Sequence, residues 1–310
     1  DSTVFPPGSY GYQYEINNWN RMWKVNKSDI DFHIANWNQP GYTILESVLN
    51  WPAHGDTSLK QSYYLAPFYD YNSDGIYNPS NGDYPIIKGD QTVYFIYNDK
   101  NPHEQTGGVP LNVEVHGTAY AFNCSDSALH NSVFINYRFI NRSSVTYQDV
   151  YFGLWIDGDL GNYNDDFVSC DVKGGSFYFY NGDDIDEDNG GTKGYGNNPG
   201  AQSATILVGP NQDSDGFDNP LIYDYNLAIS ENGIPYSGLG TGYSDDFFDN
   251  ERRGMTSFRY YNNNPGLLGD PLIFSDYYNY MRCYWKDGTP MVYGGNGHQS
   301  GGGTIPAKYM

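Results

Sequence analysis

The sequence predicts a mostly β protein, with a β-sandwich core, long calcium-binding loops and a small helical N-terminal portion. After residue 90, apolar residues recur at every second position in segments rich in Val, Ile, Phe and Tyr, as expected for strands. The 32 Tyr and 37 Gly residues are typical of extracellular β proteins with many turns. The clearest helical periodicity lies in the first 60 residues. We therefore expect a helical segment with an EF-like calcium loop over residues 1–90, the sandwich over 91–295, and a linker or the start of a further C-terminal region over 296–310.

Two helices are predicted near the N-terminus. Ser28 and Asp31, three residues apart, form a start that resembles a capping box, and the helix should end before Pro40. A second, shorter helix is predicted over residues 43–50, where apolar residues share one face.

The segment DYNSDGIYNPSNGD, residues 70–83, has the spacing of a calcium loop. Oxygen-bearing side chains occupy alternate positions, and Gly75 gives the backbone the freedom to curl them together. Asn81 stands where an EF-hand has its bidentate Glu, so the loop is EF-like only. The alternative is an Asx-rich turn without metal. The predicted calcium ligands are Asp70, Asn72, Asp74, the carbonyl of Ile76, and Asp83.

Strands follow this loop. The longer ones are predicted over residues 92–97, 111–122, 132–141 and 147–156. We expect the last two to form a hairpin inside the sandwich, because apolar residues lie on both of its faces. The later candidates are short: strands over 176–180, 204–208, 256–261 and 291–293. Residues 277–285 fit either a helix or a strand, and the pattern favours a helix.

Further acidic clusters lie in the long loops. Clustered carboxylates repel one another unless water or a divalent cation compensates their charge, so each cluster is either a metal site or a solvated loop. The second calcium candidate comprises Asp157, Asp159, Asn162, Asp165 and Asp166, and the third comprises Asp213, Asp215 and Asp218. The turn containing Asp245, Asp246 and Asp249, near Glu251, is a weaker candidate.

Composition limits the possible partners and location. The formal charge of -21 would repel nucleic acid and anionic membranes, and no apolar run approaches the length of a membrane span. Weak calcium sites fill only where calcium is millimolar, so we expect an extracellular or outer-surface location. Cys124, Cys170 and Cys283 allow at most one internal disulfide. The carboxylates flanking Cys170 should raise the pKa of its thiol.

Neither catalytic nor cofactor-binding residues can be assigned from the sequence. It contains no HExxH motif, nucleophile elbow or P-loop, and with 37 acidic residues a suitably spaced carboxylate pair would arise by chance. His54 and His116 are the most prominent histidines, and we interpret both as core or turn residues.

Taken together, these segments resemble secreted and surface proteins of the Bacteroidota that are exported by the type IX secretion system. The resemblance covers nearly the whole chain and implies export, a C-terminal continuation with further β domains and a sorting domain, and a calcium-type loop at residues 70–83. It implies no activity. The matching segments are MWKVNKSDIDFHI, WPAHGD, LAPFYDYNSDGIYNPSNGDYP, YFIYND, EVHGTAYAFN, DGDLGNYNDDFVSCD, DNERRGM and YYNYMRCYWKDGTPMVYGG.

The expected function is therefore a calcium-stabilised structural or adhesive ectodomain of a cell surface or extracellular filament. Its partners would be other surface proteins or further copies of itself. The alternative is a carbohydrate-active module that binds glycan through exposed Tyr and Trp or hydrolyses it with two carboxylates.

Overall fold

The computed structural model describes residues 17–59, 61–212, 214–220, 240–261 and 263–308. The protein is mostly β, with several antiparallel sheets and few helices, as the sequence predicts. The chain divides into two compact units, residues 1–148 and 149–310. No helix in the described ranges is long and apolar enough to span a bilayer.

The strands are β1 (Trp23–Asn26), β2 (Phe68–Tyr69), β3 (Tyr84–Pro85), β4 (Gln91–Asn98), β5 (Val113–Ala121), β6 (Val133–Asn141), β7 (Asp166–Asp171), β8 (Ser176–Asn181), β9 (Ile185–Asp186), β10 (Gly196–Asn197), β11 (Ala201–Thr205), β12 (Val292–Tyr293) and β13 (Ile305–Pro306). The helices are α1 (Lys27–Asn36), α2 (Glu46–Leu49), α3 (Ser127–His130) and α4 (Phe274–Met281).

The first unit is built on a four-stranded antiparallel sheet in the order β1-β4-β5-β6. Alternation along β4 buries Thr92 and Tyr94 on one face, where the core forms. Burying a large apolar side chain stabilises the fold by about 1.5–3 kcal/mol, so the cluster of buried side chains on this face stabilises the unit. The buried residues of the cluster are Val25, Ile30, Trp51, Ala53, Ala66 and Tyr94.

The N-terminal helices agree with the sequence in position. Helix α1 is confirmed, and it turns Ile30 and His33 into the interior. The predicted capping box of Ser28 and Asp31 is wrong, because the helix begins at Lys27 after the N-cap Asn26 and has no side-chain cap. Helix α2 is a single turn, shorter than the predicted 43–50, because Leu45 is still extended with ψ of 140°. Strand β1 was missed by the sequence analysis, since four residues are too few to show a period.

The predicted hairpin of 132–141 with 147–156 is wrong. Strand β6 pairs with β5, and residues 147–156, all of them described, lie outside any strand. The chain turns away after β6, where the Asn141 side chain donates to the carbonyl of Val145 at 2.7 Å. Asp149 then adopts a left-handed φ of 52°, which interrupts an extended strand, and the second unit begins there.

The second unit contains a three-stranded antiparallel sheet in the order β11-β8-β7 and the two-stranded pairs β9–β10 and β12–β13. Strand β11 pairs with β8 from Ala201 to Thr205. It therefore lies earlier in the chain than the predicted strand over 204–208. Residues 256–261, all described, form no strand. Helix α4 lies three residues earlier than the predicted start at 277, and Cys283 follows it with a left-handed φ of 64°.

Candidate functional site

The loop over residues 70–83 is closed at its base by β2 and β3. Tyr69 pairs with Tyr84 and Phe68 with Pro85. The rings of Tyr69 and Tyr84 stack with their centroids 4.8 Å apart. The segment between them is therefore one hairpin loop with fixed ends.

The start of this loop curls around the carboxylate of Asp70. Its Oδ1 accepts from the backbone N–H of Asp74 at 3.2 Å, and its Oδ2 accepts from that of Gly75 at 2.7 Å. The Oδ1 of Asp74 accepts from the N–H of Ile76 at 2.8 Å. Gly75 has φ of 76°, as the curl requires. Alternate oxygen-bearing side chains can converge on one cation only along a backbone of this shape.

Asn72 and Asp74 lie side by side on the exposed surface of the curl. The amide nitrogen of Asn72 donates to Oδ2 of Asp74 at 2.8 Å. Both side chains are exposed, as is that of Ile76. The structure therefore gathers Asp70, Asn72 and Asp74 at one surface position, with Ile76 next in the same curl.

Asp83 is buried beneath the same loop. Its side chain is 0% exposed. One carboxylate oxygen accepts from the N–H of Tyr71 at 2.9 Å and the other from the N–H of Asn78 at 2.8 Å. These bonds join the two halves of the loop from the inside, so the structure places Asp83 where it supports the loop backbone.

His54 holds the exit of the same loop. Its Nε2 accepts from the N–H of Tyr77 at 2.9 Å, and its Nδ1 lies 3.1 Å from the carbonyl oxygen of Tyr63. A carbonyl only accepts, so Nδ1 carries the proton and the ring is neutral. The Tyr77 hydroxyl donates to the carbonyl of Val48 at 2.6 Å, and burial raises the pKa of Tyr77. His54 is thus a turn histidine in this structure.

Part of the second acidic cluster meets at the start of β7. Asp166 pairs directly with Asn181 of β8, which places their side chains on one face of the sheet. Burial raises the pKa of Asp166, and the nearby charges of Asp165, Asp186 and Asp159 act in the same direction. The Oδ1 atoms of Asp165, Asp166 and Asn181 are buried and have no hydrogen-bond partner among the described residues.

The other members of that cluster are more dispersed. Asp157 and Asp159 are exposed, and Asn162 is buried, with its Oδ1 accepting from the backbone N–H and the side chain of Asn164. Asp186, which the sequence analysis missed, is buried and accepts from the N–H groups of Asn162 and Tyr195.

The third cluster is only partly described. Asp213 lies outside the described residues. Asp215 is exposed and accepts from the N–H of Phe217 at 3.0 Å and from the side chain of Asn219 at 3.2 Å. Asp218 accepts from the N–H of Asp246 at 2.6 Å, so this cluster meets the acidic turn at 245–251.

A buried charged network, also missed from the sequence, lies in the sheet of the first unit. Arg142 donates to both carboxylate oxygens of Glu114 at 3.0 Å, and His116 Nε2 lies 2.6 Å from Oε1. The Tyr94 hydroxyl lies 2.9 Å from His116 Nδ1. Burial alone would raise the pKa of Glu114, but the hydrogen bonds from His116 and Arg142 lower it to about 2. The sequence signal for this network was the alternation in EVH, residues 114–116, which puts Glu114 and His116 on the same face of a strand.

This network does not line an open pocket. The adjoining cleft is too narrow to admit water. Its lining residues are Trp19, Gln61, Ser62, Leu65, Ile96 and Glu114. His116 is therefore a core histidine that links two strands.

Within the described ranges, no three His, Cys, Asp or Glu side chains are arranged to hold a metal ion. The curl at residues 70–76 is an oxygen set of another kind, with two carboxylates, an amide and a carbonyl. All three cysteines are free thiols, and burial, followed by the charge of Asp171, raises the pKa of Cys170.

Comparison with known proteins gives no relative: no protein-family model, curated protein or solved structure matches this chain.

Proposed function

We propose that this chain is a calcium-stabilised structural or adhesive ectodomain, exported to the cell surface by the type IX pathway, that assembles with other surface proteins or with copies of itself. The observation that carries the proposal is the closed loop over residues 70–83, whose curl gathers Asp70, Asn72 and Asp74.

Calcium suits this loop because its donors are all oxygens. Asp70 and Asp74 bring two negative charges close together, and a divalent cation would offset their repulsion. Each carboxylate oxygen can accept more than one bond, so the backbone bonds that shape the curl leave lone pairs for a metal. The closed base and the buried Asp83 fix the backbone beforehand, which lowers the entropy lost on binding.

Strand β6 supports the assembly part of the proposal. It is the last strand in its sheet, and one face carries four large apolar side chains that are 43–68% exposed. Exposed apolar strands at a sheet edge are sites of strand-to-strand association. The side chains are Val133, Ile135, Tyr137 and Phe139.

The test is thermal unfolding of the purified chain in about 10 mM calcium and in excess chelator. A site filled at about 100 times its Kd stabilises the native state by about 2.7 kcal/mol, so we expect Tm to fall by roughly 5 °C or more in chelator. The double variant Asp70→Asn and Asp74→Asn weakens backbone hydrogen bonds of the curl, so it should lose some stability in chelator. It should lose clearly more in calcium, because binding to the native state is lost as well.

Asp83→Asn is the matched control in the same loop. It keeps the shape of the side chain but weakens two buried hydrogen bonds, so we expect a loss of about 1–3 kcal/mol both with and without calcium. If the double variant loses as much stability in chelator as in calcium, the loop is an Asx-rich turn and the proposal is wrong.

A further inference from the structure

Two loops of the second unit, residues 211–220 and 241–252, are joined by backbone hydrogen bonds. The N–H of Gln212 donates to the carbonyl of Glu251 at 2.9 Å, and the N–H of Ser244 donates to the carbonyl of Asn219 at 3.2 Å. The two loops therefore share one junction although a long segment separates them in sequence.

Carboxylates of both loops are turned into this junction. The N–H of Asn219 donates to Oε1 of Glu251 at 2.6 Å, and the N–H of Asp246 donates to Oδ2 of Asp218 at 2.6 Å. Each bond runs from one loop to a carboxylate of the other. The second oxygen of each carboxylate is left for another partner.

These second oxygens have no partner within the described residues. Glu251 and Asn219 are each only 1% exposed, so water does not reach them freely. Oε2 of Glu251, Oδ1 of Asn219 and Oδ1 of Asp218 are all buried and make no hydrogen bond to a described residue. A buried carboxylate without a positive partner strongly opposes folding, so a cation bound at this site would stabilise the fold.

Within the part of the chain that the structure describes, no side-chain cation pairs with these carboxylates. No ion pair among the described residues involves Asp218 or Glu251. Arg252, the nearest basic residue in sequence, donates through Nε to the carbonyl of Gly209 at 2.9 Å. Residues 213 and 221–239, which the structure does not describe, include no Lys, Arg or His. The neighbouring Gln212 Nε2 also lacks a described partner, so it does not donate a hydrogen bond to Glu251.

We propose that Asp218, Asn219 and Glu251 bind a divalent cation of the calcium class, which links the two loops. The donors are oxygens only, two from carboxylates and one from an amide, a set typical of calcium and unlike the nitrogen and sulfur ligands of zinc. Water completes the coordination. The inference rests on the proposed function for its calcium-rich environment, but the site lies in the other unit from residues 70–83.

The test is hydrogen exchange of the full chain with calcium chloride and with chelator, in the background of Asp70→Asn and Asp74→Asn. We expect calcium to slow exchange about tenfold or more at the N–H groups of Gly216, Asn219, Ser244 and Asp246, since a bound cation stabilises the junction. Glu251→Gln, which keeps Oε1 as an acceptor, should abolish this protection.

Glu187→Gln is the matched control, because Glu187 is exposed in the same unit and the variant makes the same change in charge. It should keep the calcium effect. If Glu251→Gln also unfolds β8, Asp218→Asn is the second variant, because its side-chain oxygen can still accept from the N–H of Asp246. Asp218→Asn should weaken calcium binding about tenfold.

The inference is overturned if calcium fails to slow exchange in the two loops, or if Glu251→Gln or Asp218→Asn leaves the slowing intact. If calcium protects these two loops in the wild-type chain but leaves exchange in its 70–83 loop unchanged, only the first site is overturned. The two proposals are therefore tested separately.

Discussion

At the scale of single residues, Glu114 shows how the fold keeps a charge buried. It is 1% exposed, and its carboxylate is matched by the guanidinium of Arg142, which follows β6, and by His116 on its own strand. The network joins β5 to the end of β6. Removing one partner of such a group costs far more than the net value of the pair, because the other charge is left buried.

The pKa of Glu114 predicts a dependence on acid. The folded pKa, about 2, lies below the ordinary value of 4.5, so this group contributes stability above pH 4.5 that is lost as the pH falls towards 2. The contribution is roughly 3 kcal/mol at neutral pH by linkage. In urea unfolding from pH 6 to 2.5, Glu114→Gln should be less stable at pH 6 and lose less stability on acidification.

Glu104→Gln, at an exposed position of the same unit, is the control and should follow the wild-type curve. Equal pH slopes for Glu114→Gln and the wild type would contradict the role given to this carboxylate.

At the scale of elements, β6 is unusual because its apolar face is exposed. Alternation along Val133, Ile135, Tyr137 and Phe139 is the pattern of a strand with a buried face, but the chain leaves the sheet after Asn141 instead of returning beside it. The long apolar edge is therefore available for association.

Ile135→Lys should weaken self-association of the chain, because a charge on this face would have to be desolvated in a strand-to-strand contact. We expect the dissociation constant measured by sedimentation to rise about tenfold, or roughly 1.4 kcal/mol. Val109→Lys makes the same change at an exposed position outside the sheet and should have little effect. A chain that remains monomeric at every concentration would contradict assembly through β6.

At the scale of the whole molecule, the formal charge of -21 is the dominant feature. Self-repulsion at this charge destabilises the compact state, and monovalent salt screens it over about 10 Å at 0.1 M. In chelator, raising potassium chloride from about 0.01 to 0.2 M should therefore raise Tm by a few degrees. If calcium binds as proposed, it should have a larger effect at equal ionic strength, because it would bind as well as screen. A Tm that is flat or falls with salt would show that repulsion is not limiting.

The sequence by itself determined the features that depend on neighbouring residues. The mostly β class follows from alternation along β4, β5 and β6, and the end of α1 follows from Pro40. The spacing in 70–76 indicated a curl, and the structure contains it. The calcium in that curl stays a prediction.

Only the tertiary structure decided which distant residues meet. A period of two says that β6 is a strand but not that its partner is β5, and it did not reveal the left-handed turn at Asp149 that directs the chain into the second unit. Spacing likewise placed Asp83 among the ligands, which stays a prediction, but did not reveal that it is buried and bonds to both halves of its loop. Glu251 and Asn219 come together across a long intervening segment. Such contacts depend on packing and loop closure, which local sequence patterns do not encode.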